Sequence, residues 1–230
     1  HVEADRQATN LTRLDIFLPE RTTFFLENDD LFSAYGIPPI RPFYSRRIGL
    51  DNDGNSIPII GGARLSGNLT KKTRIGIMNM QTLAKGDFNA QNYTAVTFNQ
   101  RVQARSLVKG YFLNRQGFSG NEKWDDPMER YGRNAGLEYN FTDKAGKWSG
   151  WAGYHKSFKP EIKGSDQFLN AGGQYATKSF EAVIDYSDVA DKFYTDMGFV
   201  NRIDNYDAKL DSSFRVGFRQ VFNSYQFRIF

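Results

Sequence analysis

The segment Ala135-Gly136-Leu137-Glu138-Tyr139-Asn140-Phe141 decides the fold, because an apolar or aromatic residue occupies every second position in it. Successive side chains of an extended strand point to opposite faces of the sheet. The odd-numbered residues therefore share an apolar face, while the glycine, the glutamate and the asparagine share a polar one. Such a strand suits a sheet with lipid on one side and a wet interior on the other.

The same alternation recurs along the chain from Pro58 onward. It gives Glu181 and Asp185 to the polar face, and in Phe214-Arg215-Val216-Gly217-Phe218-Arg219 it gives both arginines to that face. Short turns predicted at 69–72, 142–147 and 175–180 alternate with longer polar stretches at 117–130 and 189–211, which is typical of a meander of transmembrane hairpins. The segments predicted as strands are 58–69, 72–83, 92–104, 106–116, 131–142, 147–157, 166–176, 179–188, 212–222 and 224–230.

The predicted fold is all-β, an antiparallel meander forming a transmembrane β-barrel. Residues 57–230 supply the barrel strands. Residues 1–56 are rich in proline and charge and show little alternation, so we expect an irregular segment at the mouth or in the lumen of the barrel. A soluble β-sandwich shows the same alternation with inside and outside exchanged, and it remains the alternative fold.

The composition fits a barrel and excludes several other classes. The 230 residues include 20 Phe, 12 Tyr and 3 Trp, which barrels place on the lipid face and in girdles at the membrane interfaces. The negative mean hydropathy is no objection, because a barrel strand needs apolar residues only at alternate positions. The sequence contains no run of about 18 apolar residues, so it predicts no membrane-spanning helix.

Cysteine is absent, which removes disulfides, thiolate metal sites and cysteine nucleophiles. The net charge of +4 arises from 30 basic and 26 acidic residues that are interspersed along the chain, so nucleic acid is not an expected partner. We expect no cofactor and no metal. The expected partners are membrane lipid and lipopolysaccharide, with other outer-membrane proteins and oligosaccharide as further candidates.

The two ends of the sequence suggest a part of a longer, exported chain. The sequence begins at His1-Val2 without a methionine or an apolar leader. Phe230 is preceded by Gln226 and Arg228 at the positions where a terminal barrel strand usually carries apolar residues. We therefore expect further strands to follow in the complete protein.

Several motifs, in order, resemble a family of uncharacterised outer-membrane proteins common in Bacteroidetes. They span roughly residues 2–204 and comprise Val2-Glu3-Ala4-Asp5, Asn10-Leu11-Thr12, Phe17-Leu18-Pro19-Glu20-Arg21, Phe24-Phe25-Leu26-Glu27-Asn28, Tyr44-Ser45-Arg46-Arg47-Ile48-Gly49, Ile59-Ile60-Gly61-Gly62-Ala63-Arg64-Leu65-Ser66-Gly67, Ile75-Gly76-Ile77-Met78-Asn79-Met80-Gln81-Thr82 and Asp196-Met197-Gly198-Phe199. The resemblance implies a Gram-negative outer-membrane barrel domain of unknown function. In that family it follows an N-terminal sandwich similar to carbohydrate-binding modules, for which this chain has no room.

Catalytic residues are few. His155 and Ser157 alternate on one strand and point the same way, which resembles the outer-membrane lipases that set a histidine and a serine on the barrel wall. Residues two apart on a strand are about 7 Å apart, too far for the hydrogen bond that a nucleophile and its base require. A barrel-wall hydrolase is therefore the alternative function, and an interfacial or lumenal histidine is the simpler interpretation.

A constellation of charged residues is the stronger candidate site, because charge in a barrel lumen must be paired or hydrated. Its members are Glu20, Glu27, Arg46, Arg47, Arg64, Asp196, Arg202 and Asp204. We interpret them as ion pairs that fix the N-terminal segment, with a pore lining selective for anions or sugars as the alternative. Trp124, Trp148 and Trp151 could stack on sugars, but anchoring in an interfacial girdle explains them more simply.

The sequence thus predicts a non-enzymatic outer-membrane barrel in envelope transport or in a surface assembly, with a link to carbohydrate capture through the family resemblance. A barrel-wall hydrolase and a soluble β-sandwich binding module are the alternatives.

Overall fold

A computed structural model describes residues 23–37, 40–50, 56–86, 88–103, 105–118, 127–200 and 218–227. Its main element is a nine-stranded antiparallel sheet. The strands of this sheet are β2 (Ile59–Asn68), β3 (Thr73–Thr82), β4 (Ala90–Arg101), β5 (Leu107–Phe118), β6 (Tyr131–Thr142), β7 (Trp148–Phe158), β8 (Gln167–Ala176), β9 (Phe180–Val189) and β11 (Phe218–Phe227).

Each strand pairs with its neighbours in sequence, so the sheet is a simple meander in the order β2, β3, β4, β5, β6, β7, β8, β9, β11. Pairing is continuous and antiparallel, with a bulge at the start of β2 between Ile59 and Gly61. Within the described ranges the sheet does not close on itself, and β2 and β11 form its two edges.

The connections differ in length at the two ends of the sheet. At one end, which we call the short-turn end, the strands are joined by residues 69–72, 102–106, 143–147 and 177–179. At the other end, the long-loop end, the connections are 83–89, 119–130, 159–166 and 190–217. The predicted alternation of short turns with long loops is confirmed, including all three predicted short turns.

Eight of the ten predicted strands correspond to β2–β9 within a few residues. The prediction of two strands at 212–222 and 224–230 was wrong, because β11 runs unbroken from Phe218 to Phe227. Asn223 and Ser224, which suit a turn by residue type, pair in regular register with Ile184 and Val183. An uninterrupted partner strand holds such residues in extended conformation.

The two faces of the sheet have opposite character. On β6 the side chains of Leu137, Tyr139 and Phe141 are exposed, whereas Glu138 is buried and Asn140 is partly buried, as the alternation predicts. We call the face that carries Glu138 the inner face, because other parts of the chain cover it, and the opposite face the outer face.

Two segments cover the inner face. The first contains α1 (Thr23–Leu26), short 3₁₀ helices at Asp29–Leu31 and Ser45–Arg47, and β1 (Ile40–Arg41). The second follows β9 and contains β10 (Phe199–Val200), which pairs with β1. None of the helices in the described ranges has the length and apolar character that crossing a membrane requires.

The core lies between these covering segments and the inner face. From the covering segments, Leu31, Phe32, Tyr35, Phe43, Ile48 and Met197 pack against sheet residues Met78, Met80, Tyr93, Ala95, Tyr111 and Leu113. A second cluster joins Ile40 and Phe193 to the strand residues Phe168 and Val189. Burying these apolar side chains holds both segments onto the sheet.

Candidate functional site

The outer face carries large apolar side chains that no described part of the chain covers. Leu137 on β6 is 55% exposed and Ile184 on β9 is 57% exposed. Exposed apolar residues on neighbouring strands extend this surface across the sheet: Ile77, Val96, Phe98, Phe112, Tyr154 and Leu169. A continuous apolar surface of this kind marks an interaction with a membrane or with another protein.

An aromatic row borders the apolar surface at the short-turn end. The ring centroids of Trp148 and Tyr175 lie 4.6 Å apart, those of Tyr175 and Phe180 lie 6.4 Å apart, and those of Phe180 and Phe227 lie 5.0 Å apart. These residues lie at or next to the short-turn ends of β7, β8, β9 and β11, so the row crosses four strands at that end of the sheet.

A polar row crosses the outer face toward the long-loop end. Asn79 pairs in register with Thr94, Thr94 with Asn114, and Asn114 with Arg133. Hydrogen bonds connect the row: Asn79 Nδ2 donates to Thr94 Oγ1 at 2.8 Å, and Arg133 Nε donates to Asn114 Oδ1 at 3.0 Å. The outer surface is therefore apolar, with an aromatic row at the short-turn end of β7–β9 and β11 and a polar row toward the long-loop end of β3–β6.

Arg219 belongs to the outer face, which contradicts the prediction that this arginine points inward. Its Nε donates to Asp188 Oδ2 at 2.9 Å, and the side chain of Arg219 is largely exposed. Asp188 lies between the buried residues Ser187 and Val189 and so points to the opposite face from them. The ion pair with Asp188, near the long-loop end, explains how the charged side chain of Arg219 can lie on the outer face. Phe214–Val216, from the same predicted segment, lie outside the described residues.

On the inner face, a buried ion pair holds the first covering segment. Lys109 Nζ lies 2.6 Å from Glu138 Oε2, and both side chains are buried. The backbone N–H of Gly36 donates to Glu138 Oε1 at 2.6 Å, and Lys109 Nζ donates to the carbonyl oxygen of Ala34. The two charges therefore satisfy each other and tie residues 34–36 to β5 and β6.

Tyr35 lies beside this pair. Its hydroxyl donates to the carbonyl oxygen of Gly110 at 2.8 Å, and its ring packs edge-on against Tyr111 with centroids 4.7 Å apart. Burial, together with the charge of Glu138, raises the pKa of Tyr35 far above its usual value. Tyr35 is therefore a neutral hydrogen-bond donor that fixes the covering segment.

His155 is fully buried and fully bonded. Its Nδ1 lies 2.9 Å from the hydroxyl of Tyr111 and its Nε2 lies 3.0 Å from Asn170 Oδ1. These partners assign the proton to Nε2, because the tyrosine can donate to Nδ1 and the amide oxygen can accept from Nε2.

Ser157 has partners of its own. Its Oγ donates to the carbonyl oxygen of Asp166 at 3.2 Å and accepts from the backbone N–H of Tyr194 at 3.2 Å. His155 and Ser157 do share the inner face, as predicted, but each bonds to other groups. The structure therefore offers no hydrogen bond between them of the kind that activates a nucleophile.

A second buried ionic cluster lies at the long-loop end. Asp196 Oδ1 lies 2.8 Å from Lys159 Nζ, and Asp196 Oδ2 makes an ionic contact of 3.2 Å with Arg115 Nε. The carbonyl oxygen of Met128 accepts from both cations, at 3.1 Å each. Burial opposes the ionised carboxylate, but the charges of Lys159 and Arg115 outweigh it and hold the pKa of Asp196 below its usual value.

Residues on either side of Asp196 attach the second covering segment to the first. Thr195 Oγ1 donates to the carbonyl oxygen of Pro42 at 2.7 Å, and the N–H of Tyr44 donates to the carbonyl oxygen of Met197 at 2.6 Å. The Asp196 cluster thus fixes the second covering segment, and with it residues 42–44 of the first, over the long-loop end of the inner face.

The inner face forms a cavity of about 590 Å³ beside the first covering segment. The residues that line it belong to β5–β9, β11 and the first covering segment, and include Gly36, Lys109, Glu138, Asn140, Ser149, Trp151, Asn170, Asp185, Ser187, Gln220 and Phe222. On β6 and β7 the lining reaches the turn at residues 143–147, whereas on β8, β9 and β11 it lies nearer the long-loop ends of the strands.

Trp151 is the largest side chain in this lining. Its Nε1 donates to Asp185 Oδ1 at 2.8 Å. The indole lies over Gly172 on the neighbouring strand, where an added Cβ would overlap the ring. Trp151 is therefore an inner-face residue held by Asp185 and Gly172, and the prediction of a girdle anchor is wrong for it. Trp148 lies on the outer face, where that prediction stays open, and Trp124 lies outside the described residues.

The structure describes only some of the residues of the predicted charge network. Glu20, Arg202 and Asp204 lie outside the described residues. Arg46 and Arg47 lie in the 3₁₀ helix Ser45–Arg47.

The two remaining predicted members on the N-terminal side do not form a side-chain ion pair in the described contacts. Arg64 on β2 donates to the backbone carbonyl oxygens of Phe24 and Glu27, and its guanidinium lies 4.5 Å from the ring centroid of Phe32. The Glu27 side chain is exposed. Arg64 therefore caps the α1 region through carbonyl groups.

Asp196 is the predicted member at the centre of a buried cluster, but its partners were not predicted. Lys159 and Arg115, like Lys109 and Glu138, occupy the inner face of strands or their ends. These residues could have been identified from the sequence, because each is a charged residue at an inward position of an alternating strand or at the end of one. Among the described residues, no three histidine, aspartate or glutamate side chains are grouped to hold a metal ion.

Comparison of the chain with protein-family models, with curated proteins and with solved structures gave no match.

Proposed function

We propose that the nine-stranded sheet forms part of the wall of a bacterial outer-membrane β-barrel, with the outer face in lipid and the inner face in the lumen. The barrel acts without catalysis, as a component of a surface assembly or of envelope transport whose lumen is closed at the long-loop end by residues of its own chain.

The distribution of charge and apolar surface between the two faces carries this proposal. A soluble β-sandwich buries its apolar face and exposes its polar one. Here Lys109, Glu138 and Asp196 are buried on the inner side, while Leu137 and Ile184 on the outer face are more than half exposed. The aromatic row from Trp148 to Phe227 corresponds to an interfacial girdle.

The lengths of the connections support an orientation. Transmembrane barrels have short periplasmic turns and longer extracellular loops. On this basis the turns at 143–147 and 177–179 face the periplasm, and the cluster around Asp196 closes the extracellular end of the lumen. A closed lumen favours a binding or assembly role over open diffusion.

Lipid contact can be tested with single-cysteine variants, because the natural chain has no cysteine. Leu137→Cys and Lys144→Cys are each labelled with a polarity-sensitive dye in protein reconstituted into phosphatidylcholine vesicles. Both positions are exposed in the structure, one in the outer apolar band and one in a short turn.

Bromine-labelled acyl chains should quench the dye at position 137 strongly and the dye at position 144 weakly. Equal, weak quenching at both positions, or protein that stays in the aqueous phase without detergent, would contradict the proposal and favour a soluble β-sandwich.

A further inference from the structure

We propose that the inner-face cavity between the first covering segment and strands β5–β9 and β11 binds a neutral oligosaccharide. The inference rests on the proposed function for the position of the cavity in a barrel lumen, and on the lining of the cavity for the chemistry of the ligand.

The size and shape of the cavity suit a small ligand. Its volume of about 590 Å³ lies within the range of about 300–1,000 Å³ that is typical of small-molecule sites. Gly36 and Ile37 of the first covering segment form part of its lining, so this segment closes one side of the cavity.

The charged groups of the lining are already engaged. Lys109 and Glu138 neutralise each other at 2.6 Å, and Asp185 accepts a hydrogen bond from Trp151. The remaining charge is that of one carboxylate, which repels an anionic ligand. An ionised carboxylate offers further lone pairs, so Asp185 can still accept from a ligand hydroxyl.

Neutral polar groups complete the lining. The side chains of Asn140, Ser187 and Gln220 face the cavity and make no hydrogen bond to the described part of the chain. Amide and hydroxyl groups both donate and accept, which matches sugar hydroxyls, since each of these also does both. A polyhydroxylated ligand can satisfy these groups together, whereas an apolar ligand would leave them unpaired.

Two aromatic side chains supply the apolar part of the site. Trp151 is held flat against the strand by Gly172 and Asp185, and Phe222 on β11 lies in the same lining. A fixed ring loses little side-chain entropy on binding and offers a surface for the C–H groups of a sugar ring.

Isothermal titration calorimetry on the vesicle-reconstituted chain tests the inference. The probes are maltohexaose and cellohexaose as neutral oligosaccharides, hexagalacturonate as an anionic one, and trilysine as a cation. We expect at least one neutral probe to bind, the anionic probe not to bind, and trilysine to bind more weakly than the neutral probe, because a cation can pair with Asp185 but has no hydroxyl groups for the neutral polar side chains.

Two variants locate the binding. Gln220→Ala should weaken binding about fivefold through the loss of one hydrogen bond, and Trp151→Ala should weaken it about tenfold or more. Asn223→Ala is the matched control, because Asn223 lies on the same strand but pairs with the outer-face residue Ile184. Both Gln220 and Asn223 are exposed, so neither change threatens the fold.

The dye at position 137 is read in the same samples. Quenched dye without binding of either neutral probe, binding of trilysine or hexagalacturonate instead, or equal effects of Gln220→Ala and Asn223→Ala would each overturn the oligosaccharide site and leave the membrane proposal intact. An unquenched dye would overturn the membrane proposal itself.

Discussion

Two regions of the inner face are built from the same alternating strands but have different interiors. At the long-loop end, Asp196, Arg115 and Lys159 are buried beneath residues 40–48 and 190–200. Between the first covering segment and strands β5–β9 and β11, Asn140, Asp185 and Gln220 line a cavity. An inward polar residue thus becomes part of a buried ion cluster or part of a cavity lining, depending on which segment returns to cover it.

Connection length explains why the long-loop end is filled. Turns such as 143–147 and 177–179 only reverse the chain direction and cannot fold back over the sheet. The connection that begins at residue 190 is long enough to enter the inner face, where Thr195 and Met197 bond to the first covering segment. The Lys109–Glu138 pair lies at the boundary between the filled and the open region.

The largest loss of stability is expected from Asp196→Ala, which disrupts the buried ion cluster at the long-loop end. The change leaves Arg115 and Lys159 buried without their counterion, and removing one partner of a buried pair costs about 3–5 kcal/mol. Urea unfolding in detergent micelles measures the loss of unfolding free energy. Asp188→Ala is the control, because its pair with Arg219 is exposed and should contribute less than about 1 kcal/mol. Equal losses would contradict a special role for the long-loop end.

Acidic pH should reduce the stability that the Asp196 cluster gives to the long-loop end. The folded-state pKa of Asp196 is below the value of about 3.9 for a free aspartate, so its stabilisation is complete above that pH and is lost as pH falls through the folded pKa. Unfolding free energy measured between pH 6 and pH 2 should therefore fall below about pH 4. The Asp196→Ala variant should lack this part of the decrease, and an identical pH profile for both chains would be inconsistent with an ionised Asp196.

A moderate effect is expected in the cavity lining from Gly172→Ala. The new methyl group overlaps the Trp151 indole, and overpacking typically costs about 1–3 kcal/mol. Gly173→Ala is the matched control, because the nearest atom to its added Cβ is 3.7 Å away. Unfolding free energies and the tryptophan emission spectrum should change in the first variant and not in the second. An unchanged spectrum in Gly172→Ala would mean that Trp151 does not lie over this strand.

The smallest effect is expected at the boundary, from Tyr35→Phe. The variant loses the hydrogen bond from the Tyr35 hydroxyl to Gly110 and should lose about 1 kcal/mol. Tyr139→Phe, on the exposed outer face, is the control and should leave the unfolding free energy unchanged. A loss as large in the control as in Tyr35→Phe would show that the hydroxyl of Tyr35 does not fix the covering segment.

Strand positions and faces could be predicted from sequence because they depend on local alternation. Leu137 and Glu138 fall on the predicted faces, and the short turns lie where predicted. The break near Asn223 was wrong because turn propensity is local, whereas the ladder with β9 is formed by a distant partner. Arg219 was misplaced because its pair with Asp188 is likewise invisible to alternation.

The site was harder to predict because its contacts join residues far apart in sequence. Alternation placed Glu138 inward, but not beside Gly36, from which it accepts a hydrogen bond. Asp196 was selected for its charge, yet its partners Arg115 and Lys159 come from β5 and the end of β7. Trp151 was assigned to a girdle because sequence alone does not reveal the space that Gly172 provides.

Single-channel recording in a planar bilayer tests the closed long-loop end most directly, on protein whose insertion is verified by quenching at position 137. An inserted chain should carry no steady ion current, because the covering segments and the Asp196 cluster fill the lumen. A steady, reproducible current through the unmodified chain would contradict a closed lumen and would indicate an open pore lined by the inner-face charges.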